Sequence, residues 1–172
     1  MKITRTLFDE LLVVEIPPFL DHRGSLSKVI TSEYMRQLSM QVDDVYITKS
    51  DKHVLRGLHY QTEPHGQVKL VSCLSGSMID IALDIRPNSA TFGKVFFIEL
   101  SASGISVLVP RGFAHATFSK AHNTLALSVC SGNYLPQFES GYNPLSLDLD
   151  IFPSHDSIII SDKDKNLPLF HL

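Results

Sequence analysis

The 172-residue sequence predicts an all-β fold, a sandwich or barrel of antiparallel strands with only short peripheral helices. Period-two alternation of apolar and polar residues runs through the middle of the chain. Turn-forming residues interrupt it at close, regular spacing, which leaves no room for the crossover helices of a parallel sheet. In SMIDIALDI at 77–85, Ile79, Ile81, Leu83 and Ile85 fall on one face and Asp80 and Asp84 on the other, the pattern of a half-buried strand. Similar runs follow in VKLVSCL, KVFFIEL, ISVLVP and TLALSVC. Turn signals separate them at Ser75-Gly76, Arg86-Pro87-Asn88-Ser89, Ser103-Gly104 and Ser131-Gly132-Asn133.

Two stretches read as helix. Thr31–Leu38 has a hydroxyl start and helically spaced apolar residues, and Ser161 is a suitable N-cap for a turn through Asp162, Lys163 and Asp164. The chain has no repeat, low-complexity tract or linker, so a single domain over residues 1–172 is expected.

A net charge of −3 provides no basic field for nucleic acid or an anionic membrane surface. No run approaches the roughly 18 apolar residues needed to span a bilayer. The start, MKITRTLFDELL, meets Asp9 and Glu10 before any long apolar stretch and makes a poor signal peptide. Cys73 and Cys130 lie in apolar strand runs and read as buried thiols rather than metal ligands. A cytoplasmic protein without nucleic-acid or membrane partners is the expectation.

Three places combine glycine, histidine and charge. In VLRGLHYQ, strand alternation puts Arg56, Leu58 and Tyr60 on one face and Gly57 and His59 on the other. Gly57 leaves space for a ligand or a closely packed backbone. On this run alone, a satisfied core histidine and a functional one stand level. In Gly104–His115 the spacing Gly-x5-Pro-x-Gly-x2-His leads through a tight turn into a strand carrying an inward histidine. Asp162-Lys163-Asp164 reads by default as a solvated turn. A metal site is not expected: Gln61 stands where a metal-binding version of the first motif would place a second histidine, and no three-ligand set is evident. A metal-free histidine in a polar interior suits general-base work.

The Gly104–His115 spacing resembles the second cupin motif. RGLHYQ, QVKLVSCLSG, DIRPNSATFGK, VPRGFAHATFS and ISDKD, in that order, resemble the nucleotide-sugar epimerases typified by dTDP-4-dehydrorhamnose 3,5-epimerase. The resemblance extends from about Phe19 to Asp164. It implies a cupin-type jelly-roll barrel, a homodimer with exchanged N-terminal strands, no cofactor, and a nucleoside diphosphate sugar as substrate. It also implies catalytic roles for three residues: His59 as the base beside a C4 ketone, Asp164 as its carboxylate partner, and Lys69 at the ketone oxygen. Arg23 and Arg56 match residues that hold the diphosphate and sugar; His115 and Tyr134 match pocket residues.

The sequence departs from the family pattern around the substrate. Ser128 stands where the family usually has its general-acid tyrosine, so the returning proton would come from Tyr134, Tyr46, Lys69 or water. Asp44 and Tyr46 replace the usual Gln-x-Asn, Leu26 and Lys28 replace a phenylalanine and a glutamate, and tryptophan is absent. The expected activity is epimerisation of a 4-keto-6-deoxy sugar at C3, C5 or both. A 3,4-ketoisomerase and a non-catalytic sugar-nucleotide binder are the alternatives.

Overall fold

The computed structural model describes residues 1–147 and 149–171. The first seven strands are β1 (Lys2–Arg5), β2 (Leu12–Glu15), β3 (Phe19–Asp21), β4 (Gly24–Leu26), β5 (Asp44–Ser50), β6 (Val54–Gln61) and β7 (Val68–Ser75). The next seven are β8 (Ser77–Asp84), β9 (Val95–Ser101), β10 (Ile105–Val109), β11 (Phe113–Ser119), β12 (Thr124–Ser131), β13 (Glu139–Gly141) and β14 (Ile159–Ile160). Helix α1 (Ser32–Gln37) follows β4 and helix α2 (Asp162–Lys165) follows β14. Thr31 and Ser161 cap them as expected, their hydroxyls accepting from the Tyr34 and Asp164 amides.

Two sheets face each other. One runs β1-β2-β10-β7-β12-β5 and the other β13-β6-β11-β8-β9, with β14 added to β6. This is the cupin jelly roll. One end of the space between the sheets is filled by Val71, Cys73, Met78, Val107 and Phe113. The opposite end stays open.

Both outer faces are also covered. Met35, Leu38 and Met40 close over Leu70, Leu127 and Val129 on the first sheet. The C-terminal segment lays Leu145, Leu147 and Phe170 over Leu58, Ile81 and Leu83 on the second. Strand β8 keeps the predicted alternation, but half-buried understates it, because Asp80 and Asp84 face the interior and are fully buried too.

Asp84 accepts from the Arg86 guanidinium at 2.8 and 2.9 Å and from the Ser89 and Thr91 hydroxyls at 2.7 and 2.6 Å. Burial alone would raise this carboxyl, but those hydrogen bonds outweigh it and hold the pKa far below the usual carboxylate range. They lock the turn between β8 and β9.

The face assignment of β6 needs correction. Its pairing with β11 runs His59 to His115 and then Arg56 to Thr117, so Gly57 and Leu58 together oppose Ala116. This β-bulge reverses the alternation at its centre. Arg56 and His59 therefore share the inner face, while Leu58 and Tyr60 pack outward. Gly57 makes the bulge possible. Its φ is +105°, and a β-carbon there would overlap the His115 carbonyl oxygen and Ala116. Of the two uses foreseen for this glycine, close backbone packing is the one observed.

Candidate active site

The open end of the jelly roll is a cavity of about 570 Å³, within the range of small-molecule sites. Arg56 and His59 on β6 and His115 on β11 form one wall; Tyr46 on β5, Lys69 on β7 and Ser128 on β12 line the other. Asp164 arrives from α2 at the edge.

His59 Nε2 lies 2.8 Å from Asp164 Oδ1, and the Gly57 amide donates to Asp164 Oδ2 at 3.1 Å. Asp164 is only 4% exposed. The DKD run is thus more than a solvated turn: Ser161 starts a short helix whose third residue points inward. With the carboxylate ionised, Nε2–H must donate to it, which leaves the Nδ1 lone pair of the neutral ring as the proton acceptor.

Lys69 shares the inner face of β7 with Val71 and Cys73, as the alternation implies. Burial pulls its ammonium below the ordinary lysine range, against the pull of nearby Glu139 and Asp80. A desolvated cation beside a cavity interacts strongly with any charge that develops there.

The alternation left Asp80 without a role, and the structure supplies one. Its Oδ2 lies 2.8 Å from His115 Nε2, a second buried histidine–carboxylate pair. Asp80 Oδ1 has no hydrogen-bond partner among the described residues. Period-two alternation puts Asp80 on the polar face of a half-buried strand, and it cannot supply the β8–β11 register that brings it to His115.

At the rim, Glu139 joins Lys163 at 2.5 Å and the Tyr134 hydroxyl at 3.0 Å. Burial would raise the Glu139 carboxyl, yet the hydrogen bonds from Lys163 and Tyr134 outweigh it and lower the carboxyl below its ordinary range. Tyr134 is 48% exposed and stands outside the cavity lining. Arg23 is absent from it as well. It sits on the exposed β3–β4 hairpin, paired with Asp21 at 2.6 Å.

Gln61 turns its amide to the loop backbone, donating to the His65 and Asn133 carbonyls and accepting from the Leu135 amide. Among the described residues no group of three or more His, Cys, Asp or Glu is placed to hold a metal ion.

The model for the dTDP-4-dehydrorhamnose 3,5-epimerase family matches residues 5–171. The chain belongs to this family. The dTDP-4-dehydrorhamnose 3,5-epimerase of Escherichia coli K12 is 34% identical over 173 residues, covering 97% of this chain and 93% of that one. Among solved epimerase structures, the Legionella pneumophila 3,5-epimerase in complex with dTDP-4-keto-L-rhamnose has a TM-score of 0.90 at 32% identity, covering 98% of this chain and 92% of that one. A 3'-monoepimerase from Streptomyces bikiniensis, in complex with dTDP-quinovose, has a TM-score of 0.87 at 30% identity, covering 95% and 85%. The chain thus resembles both a 3,5-epimerase and a 3'-monoepimerase. Among the described residues of this epimerase, no helix is long and apolar enough to cross a membrane.

Proposed function

We propose that the chain, acting as one domain, epimerises a deoxythymidine-diphosphate-linked 4-keto-6-deoxy sugar at C3, C5 or both. The observation that carries this reading is the His59–Asp164 pair, at 2.8 Å on one wall, with the half-buried Lys69 on the other. His59 removes the proton from the carbon beside the ketone, and the C–H electron pair moves into the enolate. Asp164 fixes the ring tautomer and stabilises the imidazolium that forms. Lys69 stabilises the enolate oxygen. Arg56, at the mouth, suits bidentate contact with a diphosphate. Its Nε donates to Ser50 Oγ at 3.0 Å, which steadies the side chain. His115, held by Asp80, and Ser128 line the cavity and would meet the sugar, while Tyr134, at the rim, would meet the nucleotide.

The test is incubation with a dTDP-4-keto-6-deoxyhexose and NMR of the product. Inverted configuration at C3 or C5 with the ketone still at C4 is expected. A ketone moved to C3 would indicate a ketoisomerase and contradict the proposal.

The functional unit we propose is a homodimer in the cytoplasm, the compartment that fits two unpaired, buried cysteines. Strands β1 and β2 pair within their own sheet, so of the N-terminal strands only the β3–β4 hairpin is left for exchange. Phe19 and Leu20 stand exposed on it at 64% and 77%. Docked on a second copy, the hairpin would bury these side chains and carry Arg23 toward the partner's cavity. Light scattering should give twice the 19.2 kDa chain mass; a stable monomer would contradict the exchange.

A further inference from the structure

Epimerisation requires a proton to leave one face of the sugar and another to arrive on the opposite face. Under the proposed function the first task falls to His59, on the β6 wall. The second needs an acid on the facing wall, which β5, β12 and β7 build.

The side chains there with a transferable proton are Lys69, Ser128, Thr48, Cys130, Cys73 and Tyr46; Thr48, like Ser128, offers only an alkyl hydroxyl, and Cys73 lies in the filled end of the barrel. Lys69 is committed to the enolate oxygen, where a positive charge is needed throughout. A serine hydroxyl is far less acidic than a phenol, whose ordinary pKa is about 10. Cys130 is fully buried and does not line the cavity. Tyr46 does line it and is 39% exposed.

Its placement follows from register. Strand β5 pairs with β12 so that Tyr46 lies directly opposite Ser128, and both side chains emerge on the inner face. Burial raises the Tyr46 phenol above its ordinary range, partly offset by its interaction with Ser128, so it stays protonated at neutral pH.

We infer that Tyr46 is the catalytic residue that returns the proton, from β5, and that the short Ser128 side chain on the neighbouring strand gives its ring room. The phenolic O–H breaks as the new C–H forms, and the phenolate recovers its proton from solvent at the cavity mouth. The inference rests on the epimerase reading, and the experiment separates the two.

Wild-type protein, Tyr46→Phe and the double variant Tyr46→Phe/Ser128→Tyr are compared on a dTDP-4-keto-6-deoxyhexose in D2O. NMR follows deuterium entry and inversion separately. Tyr46→Phe should still exchange the α-proton within a few-fold of wild type, because His59 can return deuterium to the face it took the proton from. Inversion should fall about 10²- to 10⁴-fold, the usual contribution of a positioned acid. The double variant should recover inversion, since residue 128 faces the same cavity. Inversion by Tyr46→Phe at the wild-type rate would overturn the assignment. So would an equal loss of exchange and inversion with the melting temperature unchanged, which marks a residue that only binds. Wild-type protein that neither exchanges nor inverts would defeat the epimerase reading itself.

Discussion

His59→Gln lowers the epimerisation rate about 10²- to 10⁴-fold, with the melting temperature nearly unchanged. A positioned general base contributes on that scale. Glutamine keeps an N–H donor for Asp164, which sits 2.8 Å from His59 Nε2 and is almost fully buried. That limits the structural cost, since an unpaired buried carboxylate would destabilise the protein by itself. What the substitution removes is the Nδ1 lone pair. Steady-state rates beside a thermal melt check this; activity within about threefold of wild type would show that another group takes the proton.

Lys69→Met is the second large effect, and it moves activity and stability in opposite directions. Losing one charge-stabilising group at a developing oxyanion costs on the order of 10²- to 10³-fold in kcat. The melting temperature should rise, by about 2–4 °C for each kcal/mol gained in a chain of this size. The sign follows from burial, which holds the folded-state pKa below the ordinary 10.5. Between the two values the unfolded chain binds more protons than the folded one, so stability grows as pH rises through that window. Below the folded-state pKa the cost of the buried charge is fully present. The gain from methionine is therefore largest below the folded-state pKa and fades toward 10.5. A variant that loses stability at pH 7 would show that the charge is compensated by Asp80 and Glu139. Such opposition is usual where an active site holds a group the fold alone would exclude.

Much of the fold was legible because the β7–β10 and β12 runs read as strands and end at glycine-containing or Arg-Pro turns. Strand β5 was harder to see. It is an edge strand whose outer Val45 and Ile47 are exposed while its inner Tyr46 and Thr48 face a polar cavity, so neither face reads as a core. The β1–β4 strands are only three or four residues long, so no local period signals them, and β2 is placed by β10, a partner distant in sequence.

Within the site, His59, Asp164 and Lys69 could be named from motif resemblance, and they line one cavity. Arg56 was named for the right place but with the wrong face, because alternation cannot anticipate a bulge that exists only where Gly57 meets the His115 carbonyl. The His115–Asp80 pair was missed because strand register is a tertiary property. Arg23 and Tyr134 lie outside the cavity of a single chain, on an exposed hairpin and at the rim.

The central claim is proton removal beside a ketone by His59. It is tested most directly by incubating wild-type protein and His59→Gln in D2O with a panel of 4-keto-6-deoxy sugar nucleotides and reading C3 and C5 by NMR. Wild-type protein should place deuterium at one or both carbons of at least one substrate, and His59→Gln at neither. Absence of deuterium from every substrate, or exchange by His59→Gln at the wild-type rate, would contradict the account.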